Sequence, residues 1–248
     1  MGVAVIKKSF VSIAVLAGLS LPGHSFAQDM FDWSGFYIGA NAGYGFGQGV
    51  LNHEYDLIND APNEYKSTLD LRGFSAGLFV GAQVQIDQFV VGIEQDVQIT
   101  GLSGSGTFSY YDNEADPPGV YDNPNNTGSL SFAWKGSSRI RLGVPLENNI
   151  MPFVTAGVAY GQGTLSAHQA DWDPPGNVPQ SGNFTALGGT IGAGIDVAVT
   201  DTIILRGEGR FTSFMPITAM TTGDDAMDNY RVSANIFELL VGVSAKFN

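Results

Sequence analysis

Alternation of apolar and polar residues with period two recurs in eight segments of this 248-residue sequence and most constrains its fold. Successive side chains of a β-strand point to opposite faces, so this period predicts strands, and the helical period of 3.6 is nearly absent. The predicted strands cover residues 35–47, 73–86, 89–100, 130–144, 151–163, 185–199, 202–212 and 235–247. The length suits one domain. The sequence has no cysteine, so this domain contains no disulfide bonds.

The connections between these predicted strands alternate strictly between short and long. The short connections are residues 87–88, 145–150 and 200–201, and the long ones are residues 48–72, 101–129, 164–184 and 213–234. A soluble β-sandwich has no reason to sort its loops in this way, whereas transmembrane barrels have short periplasmic turns and long extracellular loops. The predicted fold is therefore all-β, an eight-stranded antiparallel up-and-down transmembrane barrel.

The N-terminus has the three parts of a secretory signal peptide. Lys7 and Lys8 are followed by an apolar stretch over residues 10–21, and Ser25 and Ala27 occupy the −3 and −1 positions of a cleavage site. A transmembrane anchor needs about 20 apolar residues, more than this stretch provides. We therefore predict a cleaved signal peptide over residues 1–27 and a barrel domain over residues 28–248.

The predicted mature chain is strongly acidic. Without Lys7 and Lys8, nine of the 11 basic residues remain against 24 acidic ones, which gives a net charge of −15. Nucleic acid is excluded as a partner because phosphate binding needs clustered Lys and Arg.

The polar face of the predicted strands is rich in Gly and Ser and carries charges of both signs. A solvated outer face would not need this composition, but a narrow lumen needs small residues and compensated charges. We predict a lumen charge network of Glu94, Asp96, Lys135, Arg139, Arg141, Asp196, Arg206, Glu208, Arg210, Glu238 and Lys246. Fully paired, these charges would plug the barrel, and partly unpaired, they would line a narrow ion path.

Catalytic, haem and metal chemistry find little support in the sequence. The predicted mature chain has two histidines, His53 and His168, both in predicted loops. His168 with Asp171 and Asp173 could form a base–carboxylate pair, but solvated loop residues explain them better, so no catalytic residue is predicted. Either histidine could supply an axial ligand to haem. The acidic loops lack the ordered spacing of a calcium loop, so no metal and no cofactor is predicted.

Several segments resemble those of a known family, in the same order and spacing. The first is WSGFYIGANAGYG at residues 33–45, and the others are Gly92–Asp96, Gly136–Gly143, Pro152–Gly161 and Leu205–Phe211. Together they resemble the small alphaproteobacterial outer-membrane barrels called outer-membrane immunogenic proteins, some of which bind haemin. The resemblance covers strands and turns throughout the predicted mature chain but not its loops.

This resemblance implies a location in the outer membrane and a non-enzymatic structural and surface role, with acidic variable loops outside the cell. The alternative is a small porin, or a haemin-binding surface receptor that uses His53 or His168. The implied partners are outer-membrane lipid and lipopolysaccharide, the barrel-assembly machinery and periplasmic chaperones, with haemin and host surface molecules as open candidates. Such barrels usually end in an aromatic residue, whereas here Asn248 follows Phe247.

Overall fold

The alternating segments form strands that pair with their sequence neighbours in a computed structural model, which describes residues 31–55, 63–112, 119–169, 178–220 and 229–247. The strands are β1 (Gly35–Tyr55), β2 (Asn63–Ile86), β3 (Phe89–Thr100), β4 (Ser103–Asp112), β5 (Gly119–Gly143), β6 (Ile150–Gln169), β7 (Val178–Ala198), β8 (Ile203–Met220) and β9 (Asn229–Phe247). A single 3₁₀ turn, Glu147–Asn149, precedes β6. The predicted signal peptide lies outside the described residues.

The sheet closes on itself because β1 pairs with β2 on one side and with β9 on the other. The closing ladder runs from Phe36 opposite Phe247 to Glu54 opposite Asn229. β3 and β4 are two parts of one barrel strand, interrupted at residues 101–102, since both pair with β2 and with β5. The ring therefore has eight strands, all antiparallel, which confirms the predicted fold class.

The outer face of the barrel is apolar. Ile93, Ile140 and Val241, on three different strands, are each at least 66% exposed, and large aromatic side chains mark the edges of this belt, among them Phe36 and Phe74. Surfaces of soluble monomers rarely carry so large a contiguous apolar area, whereas lipid-facing barrel walls do. Within the described ranges, no helix is long and apolar enough to cross a membrane.

The short connections adopt tight turns. Asp87 (φ 52°) and Asn149 (φ 58°) are the residues other than glycine with left-handed backbone among those described. Asp and Asn tolerate this region better than most side chains, because they can hydrogen-bond locally. The two-residue connection at Asp87-Gln88 fixes the register of β2 against β3.

The boundaries predicted for the long loops were wrong. Strand pairing continues far into those segments, so that β1 and β2 leave only residues 56–62 between them and β6 and β7 leave residues 170–177. The sequence there loses its apolar outer face, but the antiparallel ladder persists because it still satisfies the backbone hydrogen-bonding groups. His53 and His168 consequently belong to β1 and β6 rather than to loops.

Unbroken alternation over residues 130–144 predicts that Leu130 and Phe132 share the outward apolar face with Ile140, and this prediction is wrong. Both side chains are buried inside the barrel, with 0% and 2% exposure, whereas Ile140 on the same strand faces out. The register of β5 against β6 shifts between Phe132 and Trp134, where a bulge inserts one extra residue. Because side chains alternate with period two, one inserted residue moves the preceding part of the strand onto the opposite face.

Candidate functional site: the filled interior

Closure of the barrel brings a charged layer together in the middle of the lumen. The inward positions of β3, β5, β7, β8 and β9 supply its members, and each of the eleven predicted side chains is at most 7% exposed. Burial of this many ionised groups is expensive unless each meets an opposite charge and hydrogen bonds. The arrangement of the ion pairs therefore decides what the layer can do.

Glu94 lies at the centre of the layer. Arg206 approaches it to 2.6 Å and Arg141 to 3.6 Å, and Arg139 forms a further ion pair with it. The Tyr37 hydroxyl donates a hydrogen bond to the same carboxylate at 2.8 Å. One carboxylate thus neutralises part of three guanidinium groups drawn from β5 and β8.

Asp196 and Glu208 connect the arginines further. Asp196 accepts from Arg206 Nε at 2.9 Å and forms an ion pair with Arg141. Glu208 accepts from Arg210 Nε at 3.1 Å and forms an ion pair with Arg139. The bidentate Arg206–Asp196 pair joins residues that lie directly opposite each other in the β7–β8 ladder.

A second group of polar contacts lies next to this centre. Lys135 is 2.6 Å from Glu238, and Ser75 donates to the same carboxylate at 3.1 Å. Lys135 also donates to the amide oxygen of Gln98, whose nitrogen donates to Asn41 at 2.8 Å. These neutral side chains on β1, β2 and β3 were not predicted as members of the network, although each occupies one of the alternating inward positions of its strand.

Three of the ion pairs span the bore. Around the ring, β3 is four strands from β8 and β5 is four strands from β9, so these strands are opposite walls. Glu94 meets Arg206 at 2.6 Å and Asp96 meets Arg210 at 2.9 Å, in both cases from β3 to β8. The Lys135–Glu238 pair joins β5 to β9. The charged side chains therefore meet across the lumen as well as along its wall.

The charges in this layer are balanced. Five carboxylates (Glu94, Asp96, Asp196, Glu208, Glu238) face five cations (Lys135, Arg139, Arg141, Arg206, Arg210). Aromatic rings pack against the guanidinium groups, with Arg141 3.9 Å from the centroid of Phe153 and Arg206 4.6 Å from that of Phe79. A neutral, ring-packed layer of this kind needs no counter-ion from solvent.

Glycines make room for the long side chains. A side chain at residue 81 would overlap the Tyr37 ring, whose hydroxyl reaches Glu94. A Cβ atom at residue 192 would lie 2.7 Å from both Glu208 Oε1 and Thr155 Oγ1. Glycine at these two positions is required by the charged layer itself.

Lys246, the sixth predicted cation, lies apart from the balanced layer. Its ammonium donates to the backbone carbonyls of Asp32 and, at 3.3 Å, Ser34, and it stands 4.6 Å from the Phe31 ring centroid. The Asp32 carboxylate accepts from the Ser34 backbone N–H at 2.9 Å, and this hydrogen bond holds the pKa of Asp32 below its usual value. Lys246 thereby ties the N-terminal segment to the last strand.

That segment packs into one mouth of the barrel. Trp33 is 1% exposed and packs with Val90, Met151, Ala198 and Ile204 in an apolar cluster. The Trp33 backbone donates to Gln85 at 3.1 Å and accepts from Gln83 at 2.7 Å. We call this cluster the terminal layer; sequence reasoning missed it because the tryptophan precedes the first alternating run.

A larger apolar cluster fills the interior on the other side of the charged layer. Its buried members are Leu51, Leu69, Leu71, Leu102, Leu130, Phe132, Ala159, Leu165, Phe184, Ala186, Phe214, Val232, Ala234 and Ile236. The Phe132 ring stacks on Phe214 at 5.2 Å and meets Phe184 edge-on at 5.5 Å. We call this cluster the hairpin-end layer, and most of it was missed because its residues fell in predicted loops.

The two histidines considered as haem ligands occupy opposite walls, since β1 and β6 are four strands apart. Eight strands spaced by about 4.8 Å and tilted by about 40° give a barrel roughly 16 Å across. The strands that carry the two histidines therefore form opposite walls of the barrel. Asp171 and Asp173, the carboxylates considered beside His168, lie outside the described residues.

An eight-stranded barrel with a lipid-facing apolar wall and a charged interior defines the protein as an outer-membrane β-barrel. The outer membrane protein β-barrel domain family matches residues 11–247, and the chain belongs to this family.

Named relatives agree with this assignment. The chain is 30% identical over 223 residues to the 31 kDa outer-membrane immunogenic protein of Brucella melitensis, covering 88% of this chain and 85% of the relative. It is 29% identical over 183 residues to the 22 kDa outer membrane protein of Rhizobium leguminosarum, covering 73% of this chain and 64% of the relative. Among solved structures, it is similar to the outer membrane protein OprG of Pseudomonas aeruginosa, with 10% identity, a TM-score of 0.48 and coverage of 89% and 100%. The family match and the Brucella relative confirm the predicted family and the outer-membrane location.

Proposed function

We propose that this barrel is closed to ions and acts as a non-enzymatic structural protein of the outer membrane, presenting its extended hairpins at the cell surface. The observation that carries this proposal is the set of three ion pairs that join opposite walls through the centre of the lumen. A side chain that reaches the opposite wall occupies the space through which an ion would move.

The layers on either side strengthen the case for closure. An ion on the lumen axis would have to cross the hairpin-end layer, the charged layer and the terminal layer in turn. The two apolar layers offer no polar partner to replace its hydration shell, and such constrictions exclude water. Entry into the charged layer would in addition break buried ion pairs and leave uncompensated charges, which is costly.

A non-enzymatic role is supported by the state of the interior side chains. Each of the five carboxylates in the balanced layer already forms an ion pair with Arg or Lys, at distances from below 3 Å to 3.7 Å. Over the described part of the chain, no group of three or more His, Asp or Glu residues is placed to hold a metal ion. Carboxylates engaged in this way position the arginines and are poorly placed to activate water.

Single-channel conductance tests the closed lumen directly. The mature chain, refolded and inserted into a planar bilayer, is expected to give no steady openings. The absence of openings supports a closed lumen only if protein recovered from the same lipid shows the heat-modifiable gel mobility of a folded barrel. Reproducible openings from folded protein would overturn the proposal and favour a small porin.

The orientation is a separate part of the proposal. Both chain ends and the short turns would face the periplasm, and the hairpins formed by β1–β2, β4–β5, β6–β7 and β8–β9 would face outward. Protease added to intact cells is expected to cut at the hairpin ends. Cleavage at the short turn Asp87-Gln88, with the hairpins intact, would contradict this orientation.

A further inference from the structure

A polar side chain, Gln95, lies on the lipid-facing wall of β3 in the middle of the apolar belt. It is exposed, and the other outward residues of β3 are apolar and exposed, namely Phe89, Val91, Ile93, Val97 and Ile99. Gln95 follows Phe89 by six residues, which is about 15 Å in height on a tilted strand. Since the lipid-facing band of such barrels is about 25 Å tall, the amide lies close to its centre, where there is no water to bind.

Two further polar side chains contact Gln95 on the same wall. Ser138 of β5 donates to the Gln95 amide oxygen at 2.5 Å, and the amide nitrogen donates to the Tyr160 hydroxyl of β6. The Tyr160 ring lies over Gly136 of β5, where a Cβ atom would be 2.7 Å from the ring. Glycine at residue 136 therefore leaves space for the ring that connects β6 to β3. We call Gln95, Ser138 and Tyr160 the polar patch.

The polar patch has hydrogen-bonding capacity that the barrel does not use. The second amide hydrogen of Gln95 and the hydroxyl hydrogen of Tyr160 meet no acceptor within the part of the chain that the structure describes. The Ser138 oxygen donates its own hydrogen to Gln95 and can still accept one. Acyl chains carry neither donors nor acceptors, so polar side chains at this depth hydrogen-bond to neighbouring protein. The patch is therefore expected to face protein rather than lipid.

The surroundings of the patch are similar on both sides of the boundary between β3 and β5. Two successive rows across β2, β3, β5 and β6 have residues of matching character at equal distances from that boundary: Val80, Gln95, Ser138 and Val158 in one row, and Ala82, Ile93, Ile140 and Ala156 in the other. Both rows line one groove of about 750 Å³ on the outer wall. A surface with this symmetry, and with both donors and acceptors at its centre, fits a second copy of itself related by a two-fold axis.

We infer that this wall is a homodimer interface within the membrane, in which the polar patch of one copy binds that of a second copy. A two-fold axis parallel to the barrel axis, at the boundary of β3 and β5, places β3 of each copy against β5 of the other. The free amide hydrogen of Gln95 then donates to the Ser138 oxygen of the second copy, and the symmetry repeats this hydrogen bond. The interface uses the outer wall alone, so the interior of each barrel is unchanged.

Energy transfer between labelled copies in phospholipid vesicles measures this association. Because the chain has no cysteine, Asp201→Cys in the exposed turn between β7 and β8 gives a single labelling site away from the interface. Transfer is expected to rise with the protein-to-lipid ratio. In the same background, Gln95→Leu and Ser138→Ala each remove both symmetry-related hydrogen bonds and are expected to raise the dimer dissociation constant about tenfold. Leu205→Val, on the opposite wall, is the matched control and should leave this constant unchanged.

A mixture of the two variants tests the geometry of the pairing. Neither variant paired with itself retains a hydrogen bond between Gln95 and Ser138 across the interface. A Gln95→Leu copy paired with a Ser138→Ala copy retains one, from the glutamine of the second to the serine of the first. Donor-labelled Gln95→Leu and acceptor-labelled Ser138→Ala are therefore expected to associate about threefold more tightly than either variant with itself.

Absence of transfer at every protein-to-lipid ratio would overturn the inference and show that lipid covers this wall. Transfer that Gln95→Leu leaves unchanged would show a dimer formed through another surface, and a mixture that associates no more tightly than its parts would refute the pairing of Gln95 with Ser138. All variants must retain the heat-modifiable mobility of the wild type, so that lost association is not lost folding. The assay depends on neither conductance nor orientation in cells, so a conducting lumen would refute the proposed function without changing this result.

Discussion

The charged layer and the hairpin-end layer occupy the same lumen and consist of inward residues of the same strands, yet different interactions hold them together. In the charged layer, specific partners such as Glu94 and Arg206 meet at 2.6 Å across the barrel. In the hairpin-end layer, side chains such as Leu130 and Phe132 are buried by close contact without polar partners. The stability of the charged layer depends on the pairing of opposite charges, and that of the hairpin-end layer depends on how well its side chains fill the available volume.

This difference explains how a narrow barrel fills its interior without sacrificing specificity. Apolar packing tolerates exchanges of similar volume, whereas a buried charge without its partner is costly. The charged layer thus specifies which strands meet, and a buried apolar layer lies on either side of it. Variants that change one layer at a time test whether the two layers are held together in these different ways.

The largest effect is expected from Glu94→Gln. The substitution keeps the side-chain volume but removes the negative charge shared by Arg139, Arg141 and Arg206, so we expect a loss of about 3–5 kcal/mol in the free energy of unfolding. Urea titration of the refolded barrel, followed by tryptophan fluorescence, measures it. Ile93→Val, the outward neighbour, is the control and should change stability by less than about 0.5 kcal/mol. Equal effects at the two positions would show that the charged layer is not specifically paired.

A smaller loss, about 3 kcal/mol, is expected from Leu130→Ala in the hairpin-end layer. The cost combines lost transfer energy with a cavity that neighbouring side chains cannot fill. Leu142→Ala, on the same strand but lipid-facing, should cost less, because lipid occupies the vacated space. If the same urea titration gave the two variants equal stability, the hairpin-end layer could not be close-packed.

Replacing a whole ion pair is expected to cost less than removing half of it. Lys135→Met or Glu238→Leu alone leaves a buried charge and should cost about 3 kcal/mol, whereas the double variant should lie within about 1–2 kcal/mol of the wild type. A double-mutant cycle of unfolding free energies gives the coupling. Additive losses would mean that the two residues stabilise the barrel independently.

The smallest effect is expected on the outer wall. Asp70→Ala removes the exposed partner of Arg72 and should change the unfolding free energy by less than about 0.5 kcal/mol. A loss above 1 kcal/mol in the same titration would contradict the contrast between paired charges inside the lumen and those on its surface.

Much of the fold followed from the sequence because period-two alternation is a local property. This alternation predicted the number of barrel strands, the lipid-facing side of each strand, and the inward face for every charged residue of the interior. The short turn at Asp87-Gln88 was predicted for the same reason. The ends of the hairpins were not, because ladder hydrogen bonds extend a strand beyond the point at which its outer face stops being apolar.

The interior was only partly predictable. The Glu94–Arg139 contact joins neighbours in the β3–β5 ladder and could be inferred from strand order. The Lys135–Glu238 contact joins residues 103 positions apart and exists because β1 pairs with β9 to close the ring. The inward turn of Leu130 and Phe132 depends on a bulge that alternation alone does not reveal.

The sequence by itself determined that the chain forms antiparallel strands with one apolar and one small, charged face, since each side chain's face is fixed by its position along its own strand. The tertiary structure decided which charges meet across the lumen, where the apolar layers lie and where Trp33 packs. Those contacts depend on the curvature and closure of the whole sheet, which brings opposite walls within reach of a single side chain.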